Sequence, residues 1–287
     1  MRAASTHREH ELESSGLTND GIGPASSPAS DKEGALKNVV VAVIALLALG
    51  AAARADAPNT AKVKEDIAKI KALLPAGVEL AGAYQLNYDP KTDKRTIDLR
   101  RGDDYVSAVH ASYVFADLRR DGKIGLAVAV ESPPTAASDG PEFGPRALMV
   151  FMNDGSGNLV LKTKGAAILK ADEGGVFGDP FNGLSISKTG ALVVSHYGGS
   201  ADRWALTEDF YFIKGNFYKI GRTDTSFNDL TLIGKTVDTN LITGDQIVTL
   251  MRGEDKPDQI VRKKVPVKPL QTLSQTSVDA DMEKPQD

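Results

Sequence analysis

The sequence predicts a mainly β protein: antiparallel sheets, as a meander of propeller-blade type or a sandwich, with one N-terminal amphipathic helix. Three observations predict it. Strand-length apolar or alternating runs follow one another after Gly77. Short turns containing Gly, Asn and Asp separate them, as hairpins require. Only one segment repeats apolar residues at helical spacing.

The chain divides before that pattern begins. Residues 1–35 are polar and rich in Ser, Gly, Pro and charge, a composition that buries too little apolar surface to repay ordering. Lys37, the apolar run Val39–Leu49 and the small-residue sites Ala53-Arg54-Ala55 and Ala55-Asp56-Ala57 follow. A basic residue, an apolar stretch of about 7–15 residues and an A-x-A site make a secretory signal peptide. The run falls short of the roughly 20 residues of a membrane span. The expectation is a signal peptide over 36–55, with 1–35 either disordered or lying upstream of the true start at Leu36. A β-rich domain then fills 56–265, and 266–287 forms a flexible tail. The expected location is periplasmic or secreted, with no stable membrane span once the leader is cut.

The helix comes first in the body. Asn59 or Thr60 can cap it, and Val63, Ile67, Ile70 and Leu74 recur at one face. Pro75 and Gly77 end it. Strands are expected at 79–86, 105–115, 124–131, 146–152, 158–163, 184–187, 191–197, 206–213, 216–222, 235–239 and 246–251. The runs 124–130 and 147–152 are apolar on both faces, which suits central strands. Glu208 and Asp209 interrupt 206–213, which suits an edge. Residues 87–104 and 133–145 read as polar insertions. Pro266, Pro269 and Pro285 forbid continuous sheet in the tail.

Composition narrows the chemistry. Lys and Arg total 34 against 38 Asp and Glu, for a net charge of −4, which gives no bulk positive field for nucleic acid. Cysteine is absent, which excludes disulfides, thiolate metal sites and a cysteine nucleophile.

Four stretches carry polar chemistry. Asp117-Leu118-Arg119-Arg120-Asp121-Gly122 has the shape of a calcium loop, and Asp117 and Asp121 are its candidate ligands. Arg119 puts a cation where an oxygen ligand belongs, so the favoured reading is a turn without metal, with calcium as the alternative and no other cofactor. Asn153-Asp154-Gly155-Ser156-Gly157-Asn158 reads as a hairpin loop, with a second oxygen-rich calcium turn as the alternative. The Gly-rich stretch 173–183 lacks the Gly-Lys-Ser/Thr of a phosphate cradle. With Phe177 and Phe181 beside Asp179 and Asn182, it reads as a pinned surface loop or the floor of a small polar pocket. Ser195-His196-Tyr197-Gly198-Gly199-Ser200-Ala201-Asp202-Arg203-Trp204 holds Ser, His and Asp but no nucleophile elbow. Arg203 and Trp204 there can stack on a sugar or peptide, or cap the sheet.

Asp117-x-x-x-Asp121-Gly122 running into Leu126–Val130 resembles the blade turn of FG-GAP (integrin-like or VCBS-like) repeats. The fuller pattern resembles a family of exported bacterial proteins without an established activity. It comprises Leu74-Pro75-Ala76-Gly77, Gly-Gly-Val-Phe-Gly-Asp-Pro-Phe at 174–181, His-Tyr-Gly-Gly-Ser at 196–200 and Arg203-Trp204. Arg119-Arg120 depart from the usual Asn-Gly of that family. The resemblance implies a fold class and an exported compartment but no reaction.

The expected function is a non-enzymatic binding or interaction module for a protein or glycan. Its face would be Asp179, Asn182, His196, Tyr197, Arg203 and Trp204, with the two glycine-bearing loops side by side. A hydrolase of envelope polysaccharide or peptide is the alternative.

Overall fold

The computed structural model describes residues 59–82, 84–89, 94–99, 102–134 and 143–278. The expected extension and signal peptide, most of the 133–145 insertion and the last residues of the tail lie outside them. The described chain is mainly β, with two antiparallel sheets and few helices.

Helix α1 (Thr60–Leu73) starts where Asn59 caps it, its side chain accepting from the Lys62 N–H at 3.3 Å. It stops at Leu74, whose extended backbone suits the residue before a proline. Val63, Asp66 and Ile70 face inward. Asp66 survives burial because Lys62 pairs with it at 3.0 Å and the Tyr113 hydroxyl donates to it at 3.4 Å. Burial and that carboxylate push the Tyr113 phenol up to about 12.

The five-stranded sheet centres on β5 (Gly125–Glu131). β6 (Arg146–Asn153) and β7 (Leu159–Gly165) extend it on one side. On the other side β1 (Glu79–Leu80) and β4 (Tyr113–Ala116) share the edge of β5. Every residue of β5 is buried, as the unbroken apolar run requires. Its alternation serves two cores. Leu126, Val128 and Val130 pack with Ile70 and Val109 of the helical layer. Ala127 and Ala129 face the second sheet.

That second sheet is a seven-stranded meander in strict chain order, β8 (Phe181–Ile186), β9 (Leu192–Gly199), β10 (Asp202–Ile213), β11 (Asn216–Asn228), β12 (Ile233–Asn240), β13 (Asp245–Arg252) and β14 (Gln259–Lys264). Leu184, Leu192, Val194, Leu206 and Phe210 pack in one cluster with Leu148, Val150 and Met152 of the first sheet. The layers are therefore helices, five-stranded sheet and meander. Each buried aliphatic or phenyl side chain contributes about 1.5–3 kcal/mol of transfer free energy. No helix among the described residues is long and apolar enough to cross a membrane.

The structure departs from the sequence reading in several places, and the strand expected at 79–86 is broken by a turn after β1. The run 105–115 is not one strand: helix α2 (Gly102–Ala111) occupies most of it, and only β4 is extended. Within the insertion read at 87–104, β2 (Tyr84–Asp89) and β3 (Lys94–Leu99) pair as a hairpin. β10 is interior, between β9 and β11, because Glu208 is neutralised by Lys219 at 2.9 Å. β14 lies beyond the last expected strand. Finally, residues 266–278 dock back on the body. The Lys219 N–H donates to the Gln271 carbonyl at 2.9 Å, and Leu273 and Val278 are buried in the core shared by the sheets. The prolines do keep this stretch out of the sheet, but an extended chain still delivers two apolar side chains inward.

Candidate functional site

The glycine-rich loop and the end of β9 meet directly. The Gly199 N–H donates to the Gly174 carbonyl at 3.0 Å, and the Val176 N–H donates back to the Gly199 carbonyl at 3.1 Å. Farther along, the Tyr197 N–H donates to the Pro180 carbonyl at 2.8 Å. The loop thus lies beside β9 as a short parallel rung, bridged at Gly175 and Gly199. Two glycines are obligatory at this junction. A Cβ on Gly174 would sit 2.0 Å from the Gly178 carbonyl oxygen. Gly199 has φ +110°, and a Cβ there would sit 2.1 Å from the Asp202 carbonyl oxygen.

Below the loop is a buried ionic pin. Arg146 is fully buried and gives Asp179 two hydrogen bonds, at 2.6 and 2.8 Å. Its Nε donates to Glu131 at 2.8 Å, and Nη1 also reaches the Leu169 carbonyl at 3.3 Å. Asp179 additionally accepts from the Phe181 N–H at 3.0 Å. A guanidinium held in this fork geometry anchors the loop to the ends of β5 and β6. The Leu169 N–H donates to His196 Nε2 at 3.2 Å, so the neutral ring carries its proton on Nδ1, which has no hydrogen-bond partner. Burial, and then the Arg146 charge, drag the His196 imidazole down to about 3.

Above the loop lies an aromatic edge, partly open to solvent. Val176 and Phe177 are 55% and 41% exposed. The Phe177 and Tyr197 rings stand 5.5 Å apart, and the Arg203 guanidinium lies 4.2 Å over the Phe177 ring. Arg203 also donates to the Tyr197 hydroxyl at 3.3 Å and pairs with Asp229 at 2.6 Å. Between this edge and α2 lies an open depression of about 240 Å³. Phe177, Phe181, Asn182 and Tyr197 line it from the loop side, and Ala108, Ala111 and Gly82 from the other. Small residues on α2 leave the space; no signal in the sequence marked them, because that stretch reads as a strand.

The six residues expected on one face therefore separate. Asn182 and Tyr197 line the depression, and Arg203 stacks at its rim. Asp179 contributes to the wall but commits its carboxylate to Arg146. His196 points into the core, opposite Leu206. Trp204 packs against the core cluster and under Gly198, which has no Cβ to obstruct it. Strand alternation explains the split, since His196 and Tyr197 are neighbours and must face opposite ways. Arg146, absent from the sequence reading, is the residue that organises the floor. Its only sequence signal is a lone cation opening an otherwise apolar strand.

The Asp179 carboxylate is bound to Arg146 and to the Phe181 N–H, and the imidazole acceptor of His196 to the Leu169 N–H, with no hydrogen bond between the two side chains. A Ser-His-Asp relay is not assembled from them.

The Asp117 turn spends its oxygens on its own backbone, accepting from the Asp121 and Gly122 N–H groups at 3.0 and 2.7 Å. Arg119 pairs with Asp121 at 2.9 Å, so a cation already neutralises the second carboxylate. Among the described residues no group of three or more His, Asp or Glu side chains is placed to hold a metal ion. Asp154 closes the β6–β7 hairpin in the same way, accepting from the N–H groups of Ser156 and Asn158 at 2.8 and 3.2 Å.

No family model matches this chain, and no curated protein and no solved structure matches it.

Proposed function

We propose that the chain is an exported binding module, working in the periplasm or outside the cell, which takes a protein or glycan group into the depression beside Phe177. The leader-like pattern at 36–55 and the resemblance of the 174–181 and 196–200 strings to exported bacterial proteins support the compartment. One observation carries the binding reading. The Asp179 and His196 side chains are turned inward and hydrogen-bonded, whereas Val176 and Phe177 at the rim are left open to solvent. An exposed apolar edge with an adjacent amide, here Asn182, is a recognition surface rather than a reaction centre. At about 240 Å³ the depression falls below the roughly 300–1,000 Å³ of sites that engulf small molecules. It suits one protruding group of a larger ligand, such as a terminal sugar or a peptide side chain.

The test is a glycan and peptide array probed with the wild type and with Phe177→Ala/Tyr197→Ala. The reading predicts a ligand class that the double variant loses while its melting curve stays cooperative. An array silent for the wild type, or retained in full by the double variant, would overturn it. N-terminal sequencing of the protein recovered outside the cytoplasm tests the compartment; a chain beginning near Met1 would contradict it.

A further inference from the structure

The meander ends in an edge built unlike the rest of the molecule. β14 is terminal in the sheet, and all six of its residues are exposed. Its pairing with β13 runs without a register shift from Asp245↔Lys264 to Leu250↔Gln259. It contains no proline and no bulge to blunt it. Every second residue of such a strand turns its N–H and C=O outward, so about three pairs of backbone groups await a partner strand. Ile260 and Val261, each 39% exposed, offer apolar contact on opposite faces. The next three residues are Arg262, Lys263 and Lys264. Lys264 pairs with Asp245 at 2.9 Å, whereas Arg262 and Lys263 have no acidic partner among the described residues.

Charge decides what can occupy this edge. A second copy pairing antiparallel about a two-fold between Val261 and Arg262 would set Gln259, Ile260 and Val261 against the cations of its twin. That ladder would hold six cations, four of them without an acid, and cationic edges of this kind discourage self-pairing. An acidic strand meets the opposite situation: its carboxylates fall beside Arg262 on one face and Lys263 on the other, while its backbone completes the ladder. We infer that the β14 edge is a docking site for an extended, acidic segment of a partner protein, bound by strand addition to the meander. Six strand spacings of about 4.8 Å separate β14 from β8, so this site lies roughly 29 Å across the sheet from the aromatic depression and works independently of it.

The experiment uses the full chain and three synthetic probes: a capped octapeptide repeating Glu-Glu-Val-Val, which puts carboxylates on both faces of a strand, its counterpart with Lys in place of Glu, and the acidic peptide N-methylated at every second backbone nitrogen. Fluorescence anisotropy reads binding, and hydrogen exchange reads the amides of 259–264. The acidic peptide is expected to bind and to slow exchange across β14. Arg262→Glu/Lys263→Glu, on exposed positions, should weaken it at least tenfold. N-methylation should abolish protection on the unaltered protein, which needs no variant to fold. Failure of the acidic peptide to bind, equal binding of the Lys or N-methylated peptide, or sedimentation showing a dimer with 259–264 already protected would each overturn the proposal.

Discussion

His196 gives the most quantitative test of the site's construction. The folded protein keeps this imidazole neutral until about pH 3, because burial and the nearby Arg146 charge disfavour the cation. In the unfolded chain a histidine titrates near 6.5. Between these values the unfolded state binds more protons, so stability is complete above pH 6.5 and falls as the pH drops. One proton difference amounts to about 1.4 kcal/mol per pH unit, so the step from pH 6.5 to 4.5 should remove about 2–3 kcal/mol. Urea unfolding at a series of pH values measures it directly. The comparison is His196→Gln, whose amide oxygen can still accept from the Leu169 N–H but does not titrate. Asp209 is pushed the other way by burial and the neighbouring Asp238, and gains stability as pH falls. It is present in both proteins and cancels in the difference. The wild type should lose stability across this window more steeply than the variant, by the margin given. Parallel pH profiles would refute a buried neutral His196 and, with it, the closed floor under the loop.

The ionic pin makes a sharper mutational claim: Arg146→Ala leaves Asp179 and Glu131 buried without their cation and should cost about 3–5 kcal/mol. A denaturation midpoint within error of the wild type would remove the pin from the account. Leu273→Ala, emptying a fully buried position in the returning tail, should cost about 2–5 kcal/mol. An unchanged midpoint would mean that the tail does not dock. Trp204→Phe should lower stability without altering ligand binding, since the indole faces the core; calorimetry and the array separate the two. Excess calcium should leave the melting midpoint unmoved, because Asp117 already serves backbone N–H groups and Asp121 serves Arg119; a rise would restore the metal site.

Local signals carried much of this fold. The unbroken apolar runs around Ala127 and Val150 suited central strands, and Asn153-Asp154-Gly155 read as a tight turn. The two glycine strings met because a hairpin joins their bases, and backbone contact without side chains is what glycine permits. The failures share one cause, which is that the deciding partner lies outside the local pattern. Tyr105–Ala111 has strand-like side chains, yet it coils as a helix over β5. Glu208 looks like an edge residue until Lys219 is placed beside it. Leu273 looks idle after two prolines until the space beside Gly165 is known, where even a Cβ would strike the Leu273 backbone. The candidate face was legible as a neighbourhood but not as a surface. Which of His196, Tyr197 and Trp204 points outward depends on which side of β9 and β10 the first sheet covers.

The chain lacks cysteine, so introduced thiols report without background. Val176→Cys/Ser200→Cys puts one thiol on the glycine-rich loop and one just past β9, beside the paired backbones of Gly175 and Gly199. If the two loops form one wall around the depression, mild oxidation will link the pair within each monomer while the melting curve stays cooperative. Thiols that stay reduced, or that link only between molecules, would contradict the convergence on which the site depends.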